Sequence, residues 1–158
     1  MLTPPLRTLP VTLPLLEELL PLIGEYQRFY GAEPDAPRNR AFFGDLIVQP
    51  ELCAQFAAVN EKGKIVGFAT LYFLPSSISA RTYAMLNDLY TRPECRGQGV
   101  GRLLIQRCQG LVKERGLSSL EWLTQKENEK AQRLYNSFPV QKSEWLTYTL
   151  SSAIEGDA

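Results

Sequence analysis

Leu15, Leu16, Leu19, Leu20, Ile23 and Tyr26 recur at intervals of three and four, the spacing of one helix face. Thr12 stands ahead of them as a capping side chain, with Pro14 in the first turn. Pro21 lacks a backbone donor and is expected to kink or split this helix, and Gly31 to end it. Upstream, Leu6 to Leu9 reads as a short strand; downstream, beyond the turn-rich Glu33 to Pro37, a second helix is expected from about Arg38 to Val48, closed by Pro50. The pattern then turns strand-like. Cys53 to Val59 and Ile65 to Leu74 predict two strands, joined at Asn60 to Lys64, where Gly63 can take a positive φ and close a hairpin. A loop, Pro75 to Ala80, leads to a longer strand, Arg81 to Thr91. Val100, Leu103, Leu104, Cys108, Leu111 and Val112 form the apolar stripe of a further helix that Gly116 stops. A strand at Leu120 to Thr124, a helix from about Glu127 to Asn136 and a last strand at Trp145 to Leu150 complete the pattern. There are no internal repeats and no linker, so residues 1–150 read as one domain and 151–158 as a frayed tail.

At 158 residues the chain is long enough to bury one substantial core. Its 17 basic and 17 acidic side chains balance, so no global field recruits nucleic acid or an anionic membrane, and any partner must be chosen by a local site. No apolar run approaches the roughly 18 residues of a membrane span, and Met1 to Pro14 lacks the basic head and apolar body of a signal peptide. A cytoplasmic protein is expected. Cys53, Cys95 and Cys108 are odd in number and show no metal spacing, which fits a reducing compartment. Cys108 falls on a helix's apolar stripe, and Cys95 reads as a loop residue rather than a nucleophile. The chain has no histidine. That removes Ser-His-Asp and Cys-His chemistry and most zinc sites, so no metal is expected and proton transfer falls to carboxylates, Tyr, Lys, Cys or water.

Between the strand ending at Thr91 and the helix from Val100 lies Arg96-Gly97-Gln98-Gly99-Val100-Gly101, followed by Arg102. A loop with so little side chain leaves its amides available as a nest, and the helix adds its positive dipole end at the same point, which suits a phosphate-bearing ligand. A P-loop would need Lys and then Ser or Thr after the last glycine, where Arg102 and Leu103 stand. The dinucleotide pattern would need a third glycine at position 102. What remains, Arg or Gln, two residues, Gly, one residue, then Gly or Ala, resembles motif A of the GNAT superfamily of acetyl-CoA-dependent N-acetyltransferases. A glycine-rich surface turn that merely caps a helix is the alternative for the loop alone. About thirty residues downstream, Asn128, Ala131, Leu134 and Tyr135 resemble motif B of the same superfamily, again after a strand-like run.

The resemblance covers residues 81 to 150 strongly and the rest in outline. It implies an α/β (α+β) fold with a mixed, mostly antiparallel sheet splayed between strands 4 and 5 and flanked by about four helices. Acetyl-CoA would lie in that gap, its pantetheine paired with backbone at Leu89, Tyr90 and Thr91 like an added strand. Arg96, Gly97, Gln98, Gly99, Val100, Gly101 and Arg102 would hold the pyrophosphate, and Asn128, also a plausible helix cap, would face the cofactor. Dimers are common in the family, so a homodimer is among the expected assemblies.

Amide formation from an ammonium needs removal of a proton whose solution pKa is about ten and protonation of a departing thiolate. Alignment of the neutral amine with the thioester then supplies about 7 kcal/mol or more. By the resemblance, Tyr135 is the acid at the CoA sulfur; a packed helix tyrosine is the structural alternative. In the diamine acetyltransferases, which this chain resembles around its middle strand, a glutamate and then an aspartate stand where this chain has Asn87 and Asp88. Asn87 cannot act as a base. Period-two alternation puts Asp88 on the opposite face, so Asp88 inherits the role only if a bulge redirects it; proton loss to water, aided by Tyr90 or Glu121, is the competing account.

Tyr26, Phe29, Tyr30, Glu33 and Asp35 form an aromatic and acidic group suited to a cationic amine, or equally are buried rings beside solvated carboxylates. The expected acceptor is a small cationic, polyamine-like amine or a lysine side chain, bound by Tyr26, Tyr30, Glu33 and Asn87. After Tyr135 the family often has Gly-Phe; here Asn136-Ser137-Phe138-Pro139 follows, so Asn136 is expected to supply the αL turn position. A non-catalytic acyl-CoA-binding module would keep the glycine loop without needing Tyr135, and a plain α/β interaction domain would bind no acetyl-CoA at all.

Overall fold

The computed structural model describes residues 5–152. Its elements run β1 (Arg7–Pro10), α1 (Leu13–Phe29), α2 (Ala36–Ile47), β2 (Cys53–Val59), β3 (Ile65–Ser76), β4 (Arg81–Thr91), α3 (Val100–Glu114), β5 (Leu120–Glu121) and α4 (Glu129–Asn136). They fall into two compact units, one reaching Gln125 and one starting at Lys126. Of the expected tail 151–158, all but Ser151 and Ser152 lies outside the described residues.

In the first unit the strands lie in the order β1-β2-β3-β4-β5. The first three pairings are antiparallel and the last is parallel. β5 meets β4 only through Ala84↔Leu120 and Met85↔Glu121. From Leu86 to Thr91 that edge of β4 has no strand beside it among the described residues, which is the opening expected between strands 4 and 5.

Local chemistry explains most element boundaries. The Thr12 hydroxyl accepts from the Leu15 amide at 3.4 Å at the start of α1. At its end Gly31 takes φ +79°, its N–H donating to Arg28 O and that of Ala32 to Gln27 O, the paired bonds of a Schellman turn. Pro21 does not split α1; it lies on the exposed face, where water can serve the carbonyl it leaves unpaired. α2 begins earlier than the periodicity suggests because Asp35 caps it, accepting from the Arg38 amide at 2.9 Å. The β2–β3 hairpin is held by Asn60 Oδ1, which accepts from the amides of Lys62 and Lys64, with Gly63 at φ +75°.

α1 and α3 lie on opposite faces of the sheet. Tyr26 of α1 packs its ring edge-on against Phe68, whereas a Cβ at the neighbouring Gly67 would meet Val100 Cγ1 and the Tyr90 carbonyl oxygen, each at 2.8 Å. The α1 side is a continuous apolar cluster that includes Leu16, Leu19, Leu22, Ile23, Phe43, Val59 and Phe68. On α3 the buried positions are Val100, Leu104, Ile105, Cys108, Leu111 and Val112; Leu103, expected on that stripe, is only partly buried, and Ile105 takes its share.

Three expectations late in the chain are corrected. β5 is two residues long rather than running to Thr124. No strand forms at Trp145 to Leu150, where Trp145, Leu146, Tyr148 and Leu150 are all exposed. Strand propensity is expressed only where a partner strand takes up the hydrogen bonds, so alternation by itself does not make this segment a strand. Asn136 is the last residue of α4 and does not take αL; Ser137 ends the helix in αR, its hydroxyl donating to the Leu134 carbonyl, and Pro139 prevents continuation.

Candidate active site

β3 and β4 pair as Leu71↔Leu86 and then Thr70↔Asp88, leaving Asn87 as an extra residue. This bulge reverses the alternation of β4. Leu86 shares the face of its partner Leu71, which is the face of Gly67 and α3; beyond the bulge, Asp88 and Tyr90 share the face of Thr70 and Phe68, which is that of α1. Asn87 and Asp88 therefore turn to the same side rather than to opposite ones, and Asn87 Nδ2 donates to Asp88 Oδ1 at 3.0 Å.

Asp88 is 5% exposed. The Tyr26 hydroxyl donates to the same Oδ1 at 2.8 Å, and no cationic side chain among the described residues forms an ion pair with it. Two further ionisable groups feel its charge from the same face. The Tyr72 and Tyr26 phenols are pushed well above the ordinary tyrosine range, by burial first and by the Asp88 carboxylate next. The Cys53 thiol is raised to about 11 for the same two reasons. All three keep their protons at neutral pH and present Asp88 with neutral neighbours.

Around Tyr26 the rings of Tyr30, Phe68 and Tyr90 meet edge-on, and Phe29 contacts Tyr30 and Tyr90. Tyr30 and Phe29 are half-exposed. Of the acidic half of the expected acceptor group, Asp35 caps α2 and Glu33 is exposed in the connection between α1 and α2. Thr70, Tyr72 and Gln55, which line the Asp88 face, were not legible in the sequence, because the register of three strands brings them together.

The Arg92 amide donates to Val66 O, so Arg92 turns its backbone to β3, and by alternation Leu89 and Thr91 turn theirs to the open edge of β4. Tyr90 does not share that edge; its carbonyl faces Gly67 of β3. The Thr91 carbonyl accepts from Arg96 Nε at 3.0 Å, and the Arg96 guanidinium lies 5.6 Å over the Phe29 ring and 5.4 Å over that of Tyr90. Arg92 ties this end of β4 to α1 through Glu25 at 2.8 Å.

Gly97 and Gly99 both have positive φ, +76° and +86°, and a Cβ at either would meet open space. Gly99 caps α3 with no side chain, and the first helical bond is Leu103 N–H to Gly99 O. The amides of Val100 and Gly101 precede it, at the positive end of a 15-residue helix. Gln98 donates to the Glu94 carbonyl, and Arg102 is exposed on the first turn. The loop thus follows the end of β4's open edge with space at the Cβ positions of both glycines.

In the second unit Asn128 caps α4, its Oδ1 accepting from the Ala131 amide at 3.2 Å. Ala131, Leu134, Tyr135 and Phe138 follow at helical spacing and are partly buried. The motif that carries Tyr135 is therefore a capped helix, as the spacing predicts.

The acetyltransferase (GNAT) family model matches residues 17–138. The chain is 31% identical to an uncharacterized N-acetyltransferase, YhfO, of Bacillus subtilis (strain 168) over 74% of this chain and 77% of that one. It is also 31% identical to thialysine N-epsilon-acetyltransferase of Mus musculus, over 60% of this chain and 55% of that one. Among solved structures, a probable acetyltransferase superposes with a TM-score of 0.84 at 30% identity, covering 94% of this chain and 99% of the other.

Proposed function

This chain belongs to the acetyltransferase (GNAT) family, and we propose that it moves an acetyl group from acetyl-CoA to the primary amine of a small cationic acceptor by direct attack. The observation that carries this reading is Asp88: a buried carboxylate, turned by the Asn87 bulge onto the α1 face and contacted only by neutral donors among the described residues. A buried carboxylate without a cation is stabilised by an ammonium ligand, and the same oxygen atoms would then accept the proton that the amine must lose.

Acetyl-CoA would bind along the open edge of β4, its pantetheine bonded to the backbone of Leu89 and Thr91 and its pyrophosphate on the amides of the Gly97–Gly101 loop. Arg96 and Arg102 supply positive charge there. The rings of Tyr26 and Tyr30 with Asn87 offer the acceptor cation-π and hydrogen-bonding contacts. By its motif, Tyr135 would donate a proton to the departing CoA sulfur. The relative that acts on thialysine supports an aminoalkyl acceptor of lysine-like length.

The deciding experiment is a CoA-release assay with acetyl-CoA and a panel of thialysine, lysine, polyamines, aminoglycosides and lysine peptides. Turnover is expected with small cationic amines first. Acetyl-CoA binding by calorimetry without turnover on any amine would identify a binding module instead; absence of binding would remove the reading altogether.

A further inference from the structure

Gln55 lies on β2 with only 5% of its surface exposed, between neighbours that are otherwise apolar. Its Nε2 donates to Thr70 Oγ1 at 3.0 Å, while its Oε1 is buried with no hydrogen-bond partner. Turning the amide over would exchange the two atoms and leave the nitrogen orphaned instead. A buried amide with one idle end is costly, and an apolar side chain of the same size would remove that cost. Its retention here coincides with what lies on the same face: Gln55 pairs with Thr70, and Thr70 with Asp88, so three buried polar residues form a row across β2, β3 and β4.

We propose that Gln55 is a positioning residue for Asp88, coupled to it through a water shared by the orphaned amide end, the Thr70 hydroxyl and the Asp88 carboxylate. Such a water would have three polar partners, within the two to four that a buried water makes. It supplies the carboxylate with a donor from the sheet side, leaving the Tyr26 and Asn87 side to the acceptor. The titratable groups that face Asp88 are Tyr26 from α1, Tyr72 from β3 and Cys53 from β2, all of which hold their protons at neutral pH, so the coupling is not masked by a second ionisation.

This inference rests on the proposed role of Asp88 for its meaning, though its test does not. The carboxyl carbon signal of Asp88 is followed by NMR across pH in the unliganded protein, in the unsubstituted chain and in Gln55→Leu, Gln55→Glu and Thr70→Val. Loss of a donor to the charged form in Gln55→Leu should move the midpoint up, and the added like charge in Gln55→Glu should move it further in the same direction. Thr70→Val should reproduce the Gln55→Leu shift, which keeps the test open if Gln55→Glu fails to fold. Midpoints unchanged in both Gln55→Leu and Thr70→Val, with only melting temperatures altered, would overturn the coupling and leave Gln55 a packing residue. Whether Asp88 is the proton acceptor is decided separately, by the turnover of Asp88→Asn.

Discussion

The Tyr26 hydroxyl, on the first long helix, donates at 2.8 Å to the Asp88 carboxylate, 62 residues later on β4. That bond joins the helix bearing the aromatic group to the strand bearing the proposed proton acceptor. Tyr26→Phe should keep the ring packing on Phe68 and Tyr90 and lose only the donor. Because the acceptor is a buried charge, stability should fall by about 1–2 kcal/mol, read from urea denaturation. An equally stable variant would mean that Asp88 finds another donor at no cost.

Alkali should weaken the fold. The phenols of Tyr26 and Tyr72 and the thiols of Cys53 and Cys108 are all held above their ordinary values, by burial in the first place. The folded chain thus binds these protons more tightly than the unfolded one. Their contribution is complete below the unfolded values, near 9 for the thiols and 10 for the phenols, and is lost as pH rises through the folded values, about 11 for Cys53 and about 12 for Cys108. These groups should leave the melting temperature unaltered between neutrality and pH 8 and lower it steadily above pH 9. A melting temperature flat to pH 11 would contradict this.

Gly67 admits α3 to the sheet. A Cβ there would stand 2.8 Å from the Tyr90 carbonyl oxygen and from Val100 Cγ1, so Gly67→Ala should push the first turn of α3 away and cost about 1–3 kcal/mol. Since Val100 opens the helix behind the glycine loop, acetyl-CoA affinity should fall with it. Calorimetry and thermal melts on one preparation test both, and wild-type affinity would separate the loop from its support.

Gly99→Val tests the loop itself. An added Cβ meets no protein atom within 4 Å, so the effect comes from the left-handed backbone, at a cost of about 1–2 kcal/mol, and from the bulk the side chain places over the loop. Acetyl-CoA binding should become undetectable while the circular dichroism spectrum is kept. Normal binding would show that the pyrophosphate lies elsewhere.

Tyr135→Phe should leave acetyl-CoA affinity nearly intact and lower kcat by about 100-fold or more at neutral pH. Stopped-flow CoA release with the best amine of the panel measures it. Unchanged turnover would end the acid role.

Much of the molecule was legible from its residues because local chemistry governs it. Thr12 and Asn128 cap helices, Gly31 and Gly63 take the positive φ their turns need, and Gly97 and Gly99 take it where an added Cβ would meet no atom within 4 Å. Those features depend on neighbours a few positions away, so the sequence by itself determined the order of elements as far as α4, the glycine loop and the family. The tertiary structure alone decided which way Asp88 points. Alternation along β4 sends it away from Asn87; the register against β3 inserts one residue and brings both to the α1 face. The same registers set Gln55, Thr70 and Asp88 in one row, and among the described residues, 145–150 do not form the strand their alternation suggests. Strand register is a property of partners distant in sequence, which no window along the chain contains.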